Sequence, residues 1–149
     1  MIGLARAAHV LGVVWWIGGV AMVTATLWAV LIRDAASDPE RLRLFREIRR
    51  RFAWQVRAAI LVVGATGACL LYRLGGLARL EWAAGWWIDL MIFVWGVFFM
   101  LLFVLEPLGA MHKAGLLQKP RAFLAVHVVL LSLGLAAIAA AVVGGHGGW

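Results

Sequence analysis

Residues 86–107 read WWIDLMIFVWGVFFMLLFVLEP, and this stretch decides the fold. Between Asp89 and Glu106 it carries no charged side chain. As a helix rising about 1.5 Å per residue it is long enough to cross a hydrocarbon layer of about 30 Å. A soluble domain would have to bury such a run on every side. A chain of 149 residues that is 65% hydrophobic and 14% charged, with a mean hydropathy of +0.97, has too little polar surface for that. Lipid is the solvent these residues fit.

Outward from this stretch, three more runs have the same character, at about 8–32, 52–72 and 121–143. Hydrocarbon offers no partner to a backbone amide, so each run is expected to be a helix. The simplest arrangement is an all-α, integral-membrane antiparallel four-helix bundle, one domain over residues 1–149. Between the first two runs, Leu42, Phe45 and Ile48 recur at three-residue spacing among arginines. This spacing predicts that residues 41–51 form an amphipathic basic extension of the second helix at the inner headgroups. Residues 72–85 read as a short outer interfacial loop and 109–120 as an inner turn. The apolar N-terminal run is longer than a signal h-region and lacks a clear cleavage site, so it is read as a retained span.

The formal charge of +7 is explained by where it sits. Seven arginines lie between Arg33 and Arg51, and Lys113, Lys119 and Arg121 mark the third connection, against Arg6, Arg73 and Arg79 on the other side. Short loops rich in Lys and Arg stay cytoplasmic, which places both termini outside and the chain in a bacterial inner membrane as a multi-pass protein. Nucleic acid is not needed to account for the charge. Trp82, Trp86, Trp87 and Trp149 fall at the outer boundary and Trp28 and Trp54 near the inner one, as an aromatic belt does.

The single cysteine, Cys69, excludes an intramolecular disulfide and a CxxCH haem attachment. No G-x-S-x-G, H-E-x-x-H or Walker loop is present, and Ser37 and Ser132 have no evident base, so cofactor-free catalysis has little footing. Ionisable groups inside hydrocarbon are costly, and each one is a functional candidate with a dull competitor. Here they are His9, Arg57, Asp89, Glu106 and His127, with His112 and His146 beside span ends. Asp89 and Glu106 could relay protons at opposite faces; boundary carboxylates are more commonly solvated or paired with a nearby arginine.

The topology sorts the histidines into two pairs, His9 with His146 outside and His112 with His127 inside, and helical rise separates His9 from His127 by about 20 to 25 Å. A b-type haem needs imidazole ligands held by helices, an apolar slot, and cationic or hydrogen-bonding groups for its propionates. His9, His146, His112 and His127 are the candidate iron ligands. Arg57 is a candidate propionate partner inside, and Arg6 with Trp86 or Trp87 outside; Trp16 is a candidate to flank the ring. Glycines share a face with the polar residues: Gly12 and Gly19 with His9, Gly64 with Arg57, Gly96 with Asp89 and Gly134 with His127. Each leaves a groove for a flat macrocycle or for a neighbouring helix, the commoner occupant in membranes. Copper is the second metal, with Met22, Cys69, Met91 and Met100 in spans but no MxxM or CxxC spacing.

The segment A-R-A-A-H-V-L-G-V-V-W-W-I-G-G around His9 resembles the first helix of CopD-like copper-resistance membrane domains. The likeness continues through R-R-R-F-A-W-Q-V-R at the second helix and V-L-E-P at the close of the third, so it covers most of the chain at low specificity. The chain is also distantly similar to HemJ-type protoporphyrinogen oxidases, small four-helix haem b proteins. That resemblance implies an iron-ligand role for His9 only. Those proteins carry a lysine early in the third helix, where this chain reads W-W-I-D-L-M-I with Asp89, which argues against porphyrinogen oxidation.

The expectation from the sequence is a membrane protein with one or two haem b groups that moves electrons within or across the bilayer, with quinone and a redox partner protein as its exchange partners. It would act as a haem-dependent oxidoreductase or the membrane subunit of one. Copper transport or delivery of the CopD type, and a structural accessory subunit of a larger complex or homo-oligomer, are the alternatives.

Overall fold

A computed structural model of the chain describes residues 2–32, 39–75, 82–108 and 120–145. Four helices account for them: α1 (Ile2–Ile32), α2 (Pro39–Arg73), α3 (Trp82–Phe99), which runs on into a π-helical turn (Met100–Leu105), and α4 (Pro120–Gly145). Each contains a stretch long and apolar enough to cross a membrane, over Ile2–Ala29, Arg50–Arg73, Gly85–Leu105 and Arg121–Gly145. The chain is an all-α four-helix bundle of the multi-pass membrane type.

The ends of the helices follow local chemistry. Pro39 and Pro120 open α2 and α4, where a missing N–H costs nothing and the fixed φ already suits a helix. Glu40 lies in the first turn of α2 and Arg73 in the last, each at the end of the helix dipole that favours its charge. Gly75, at φ 65°, takes the left-handed conformation that ends the helix after Arg73.

Two helix starts differ from the sequence reading, that of α3, at Trp82 rather than Trp86, and that of α1. α1 begins at Ile2 rather than near Ala8, because residues 2–7 add only Arg6 to an otherwise apolar turn and nothing there stops a helix. His9 therefore sits about two turns inside α1 instead of at its start. α2, in contrast, passes through Arg51 without a break, so residues 41–51 are a helical extension of the second span, the form the sequence reading gives them. The side chains of Leu42, Phe45 and Ile48 lie outside the described set.

The core is made by Trp16, Ile17 and Val20 of α1, Val56, Ala59, Ile60 and Val63 of α2, Val94 and Phe98 of α3, and Ala137 of α4. A second cluster of Leu27, Phe123 and Leu124 closes α1 against α4 at the other end. Glycines let the helices approach. A side-chain carbon at Gly12 would meet Val63, at Gly19 the Phe52 ring, at Gly64 the Trp95 indole, at Gly134 the Ile17 side chain and at Gly144 Trp87. The grooves at Gly12, Gly19, Gly64 and Gly134 are thus filled by neighbouring helices, as small residues in membrane interfaces commonly are. Gly96 alone of the glycines paired with polar residues in the sequence faces open space.

Candidate functional site

His9 shares a face of α1 with Trp16, one heptad on, and its ring is held by α2. Nδ1 lies 3.0 Å from Thr66 Oγ1 and 3.2 Å from the Val63 carbonyl oxygen. The Thr66 hydroxyl donates its own proton to the Val62 carbonyl at 2.6 Å, leaving its oxygen free to accept. Both neighbours of Nδ1 are then acceptors, so Nδ1 carries the proton and Nε2 carries the lone pair. Gly67 makes room for the ring: a β-carbon there would lie 3.2 Å from His9 Cε1 and 3.6 Å from Nδ1. Sequence reasoning found His9 but not this cradle of Val63, Thr66 and Gly67. Its only trace was a threonine in an apolar run, a residue that most often bonds back to its own helix, as Thr24 does to Val20.

His127 is placed differently. Its Nδ1 donates to the Phe123 carbonyl of its own helix at 2.9 Å, and its ring lies against Phe123, with centroids 4.2 Å apart. The register of α1 against α4, with Ile17 at Gly134 and Leu27 at Phe123 and Leu124, sets His127 level with Thr24 and His9 level with Val142. His9 and His127 are therefore separated by about 22 Å of helical rise. His146 follows directly on Gly145, and His112 follows α3 in the sequence; both lie outside the described residues.

Arg57 crosses from α2 to the C-terminal end of α3 and its π-turn. Its Nη2 lies 3.1 Å from Glu106 Oε2, and Nε and Nη2 lie 3.4 and 3.3 Å from the Leu102 carbonyl oxygen. The backbone explains why that carbonyl needs a donor. Pro107 has no N–H and its ring crowds the carbonyl four residues back, so the helix widens: the Glu106 N–H bonds to Leu101 at 2.9 Å instead of to Leu102. Leu102 is left without a helical partner, and Arg57 supplies one. The residue expected to meet a haem propionate is engaged with Glu106 and Leu102. The guanidinium also lies over the Trp54 ring, 5.2 Å from its centroid.

Trp16, expected to flank a planar cofactor, is buried edge-on against Phe98, with centroids 4.7 Å apart and planes at 89°. Its Nε1 and Asp89 Oδ2 are the two buried polar side-chain atoms without a hydrogen-bond partner among the described residues. Asp89 shares a helix face with Ile92 and Phe93, three and four residues on, both of which are exposed. Arg6 is exposed on α1, three residues before His9. Among the described residues no group of three or more His, Cys, Asp or Glu gathers to hold a metal ion. Cys69, Met22 and Met100 are all exposed.

Comparison of the chain with protein-family models, with curated proteins and with solved structures finds no match in any of the three. The likeness to CopD-like and HemJ-type proteins rests on the quoted motifs.

Proposed function

We propose that the protein is a membrane b-type haem protein that carries electrons within or across the bilayer, with His9 as an iron ligand toward the outer end of the bundle. One observation carries this reading. The His9 imidazole is tied through Nδ1 to the Val63 carbonyl and the Thr66 hydroxyl, which leaves Nε2 as the basic nitrogen. A metal-bound histidine is oriented by the same kind of acceptor behind its other nitrogen, and the acceptor raises its basicity as a ligand.

The fit is local. Around Trp16 the grooves at Gly12, Gly19 and Gly134 are filled by Val63, Phe52 and Ile17, so these grooves offer no slot for a macrocycle. A haem on His9 would lie toward the outer end of α1, with Arg6 as the cation for a propionate and His146 as the candidate second ligand. Bound haem would supply reversible one-electron chemistry. The work of the chain is to hold the imidazole in one tautomer and shield it with apolar side chains, while quinone and a redox protein serve as exchange partners. A second haem on His127 and His112 belongs to the same proposal.

The filled glycine grooves favour one competing reading, a structural accessory subunit whose helices pack without a cofactor. Optical spectra of protein purified after haem supplementation separate the two. The expected result is a Soret band with a reducible α-band, abolished in His9→Ala where one haem is bound and reduced in intensity where a second sits on His127 and His112. No Soret band in the wild-type protein would remove the haem reading and leave the accessory subunit, whereas stoichiometric copper without pigment would point to copper handling.

A further inference from the structure

The N-terminal end of the apolar part of α2 carries an arrangement independent of His9. Arg50, Trp54, Arg57 and Leu61 recur at steps of four, three and four residues and form one stripe on the helix surface. Arg50 opens the apolar part of α2, Trp54 is 69% exposed and Leu61 51% exposed. The charges along this stretch are unequally satisfied. Arg43 is paired with Glu40, Arg51 with Glu47 and Arg57 with Glu106. Arg50 is exposed and makes no ion pair among the described residues.

Trp54 is held in place from one side. Glu106 and the Leu102 carbonyl fix the Arg57 guanidinium, and the guanidinium lies over the indole. The indole N–H has no partner among the described residues. A fixed, exposed aromatic plate with an unused donor thus sits about 6 Å deeper than an uncompensated cation, with an exposed leucine about 10 Å deeper again. A glycerophospholipid presents complementary groups in that order: an anionic phosphate, ester carbonyls and an acyl chain.

We propose that Arg50, Trp54 and Leu61 form a binding site for one anionic phospholipid of the leaflet that meets the N-terminal half of α2. Arg50 takes the phosphate, the Trp54 N–H donates to an ester carbonyl, and Leu61 lies along the first acyl chain. A zwitterionic lipid brings its own cation to the phosphate and leaves Arg50 less well matched, so the site prefers a net negative headgroup.

The test reconstitutes the full chain in phosphatidylcholine bilayers containing acyl-brominated phosphatidylglycerol or acyl-brominated phosphatidylcholine at equal mole fraction. Bromine quenches nearby tryptophan, and the difference between wild type and Trp54→Phe isolates the Trp54 signal from the other eight tryptophans. The Trp54 signal is expected to report about fivefold enrichment of the anionic lipid, one arginine's share of attraction to an acidic headgroup, and to lose that preference in Arg50→Gln. Inorganic phosphate, which has no acyl chain, should leave the quenching unchanged. Equal quenching by the two lipids, a preference that survives Arg50→Gln, or displacement by inorganic phosphate would each overturn the proposal. Arg50 is exposed and unpaired among the described residues, so its substitution removes no interaction seen to hold the bundle.

Discussion

Arg57→Ala is expected to destabilise the bundle by about 2–4 kcal/mol, measured as a shift in the unfolding equilibrium in bicelles or detergent. Two losses contribute. A fully buried ion pair broken on one side costs about 3–5 kcal/mol and an exposed one about 0–1 kcal/mol. With side chains 20% and 36% exposed, the pair of Arg57 and Glu106 lies between those limits. The second loss is the donor to the Leu102 carbonyl, whose bonds of 3.3 and 3.4 Å are long but have no helical substitute. Pro107→Ala tests that part. An N–H at position 107 lets the turn close on its own carbonyls, so the cost of Arg57→Ala should fall by about 1–2 kcal/mol in that background. An identical cost in both backgrounds would show that Arg57 acts through Glu106 alone.

This clamp shows what could and could not be read from the residues. Four spans were legible because each is a long apolar run, and lipid leaves the backbone no alternative to helix. Arg57 and Glu106 each stood out as costly charges, and pairing with a nearby arginine was the dull alternative for a boundary carboxylate. Their union depends on the π-turn before Pro107, which rotates the end of α3 relative to an ideal helix; a 3.6-residue repeat does not contain that rotation. The shared faces of glycines and polar residues were legible, but not their occupants: which side chain enters a groove depends on inter-helix register. His9 was singled out for its type and depth. Thr66 was not, because its value lies in meeting a residue 57 positions away in sequence.

Register also decides a large packing effect. Gly64→Ala is expected to cost about 2–3 kcal/mol net, although alanine is the better helix former by about 1 kcal/mol. The added methyl would lie 2.7, 2.9 and 3.0 Å from Trp95 Cζ2, Cε2 and Nε1. At Gly134 the intruding neighbour is the flexible end of Ile17, which can turn aside; at Gly64 it is the flat body of an indole that moves only as a unit. Moving it breaks the 3.0 Å bond from Trp95 Nε1 to the Ile60 carbonyl and strands an N–H, worth about 1–3 kcal/mol. The displacement would also reach Phe99, 5.1 Å from Trp95 between centroids, and through it Phe103, stacked at 4.7 Å. Gly96→Ala on α3 is the control, since nothing lies within 4 Å of the position and the helix should tolerate or gain from the change. Unfolding measured side by side should place Gly64→Ala well below wild type and Gly96→Ala at or above it. Equal stability of the two variants would mean that Trp95 swings clear without loss and that the close approach of α2 to α3 is not set by Gly64.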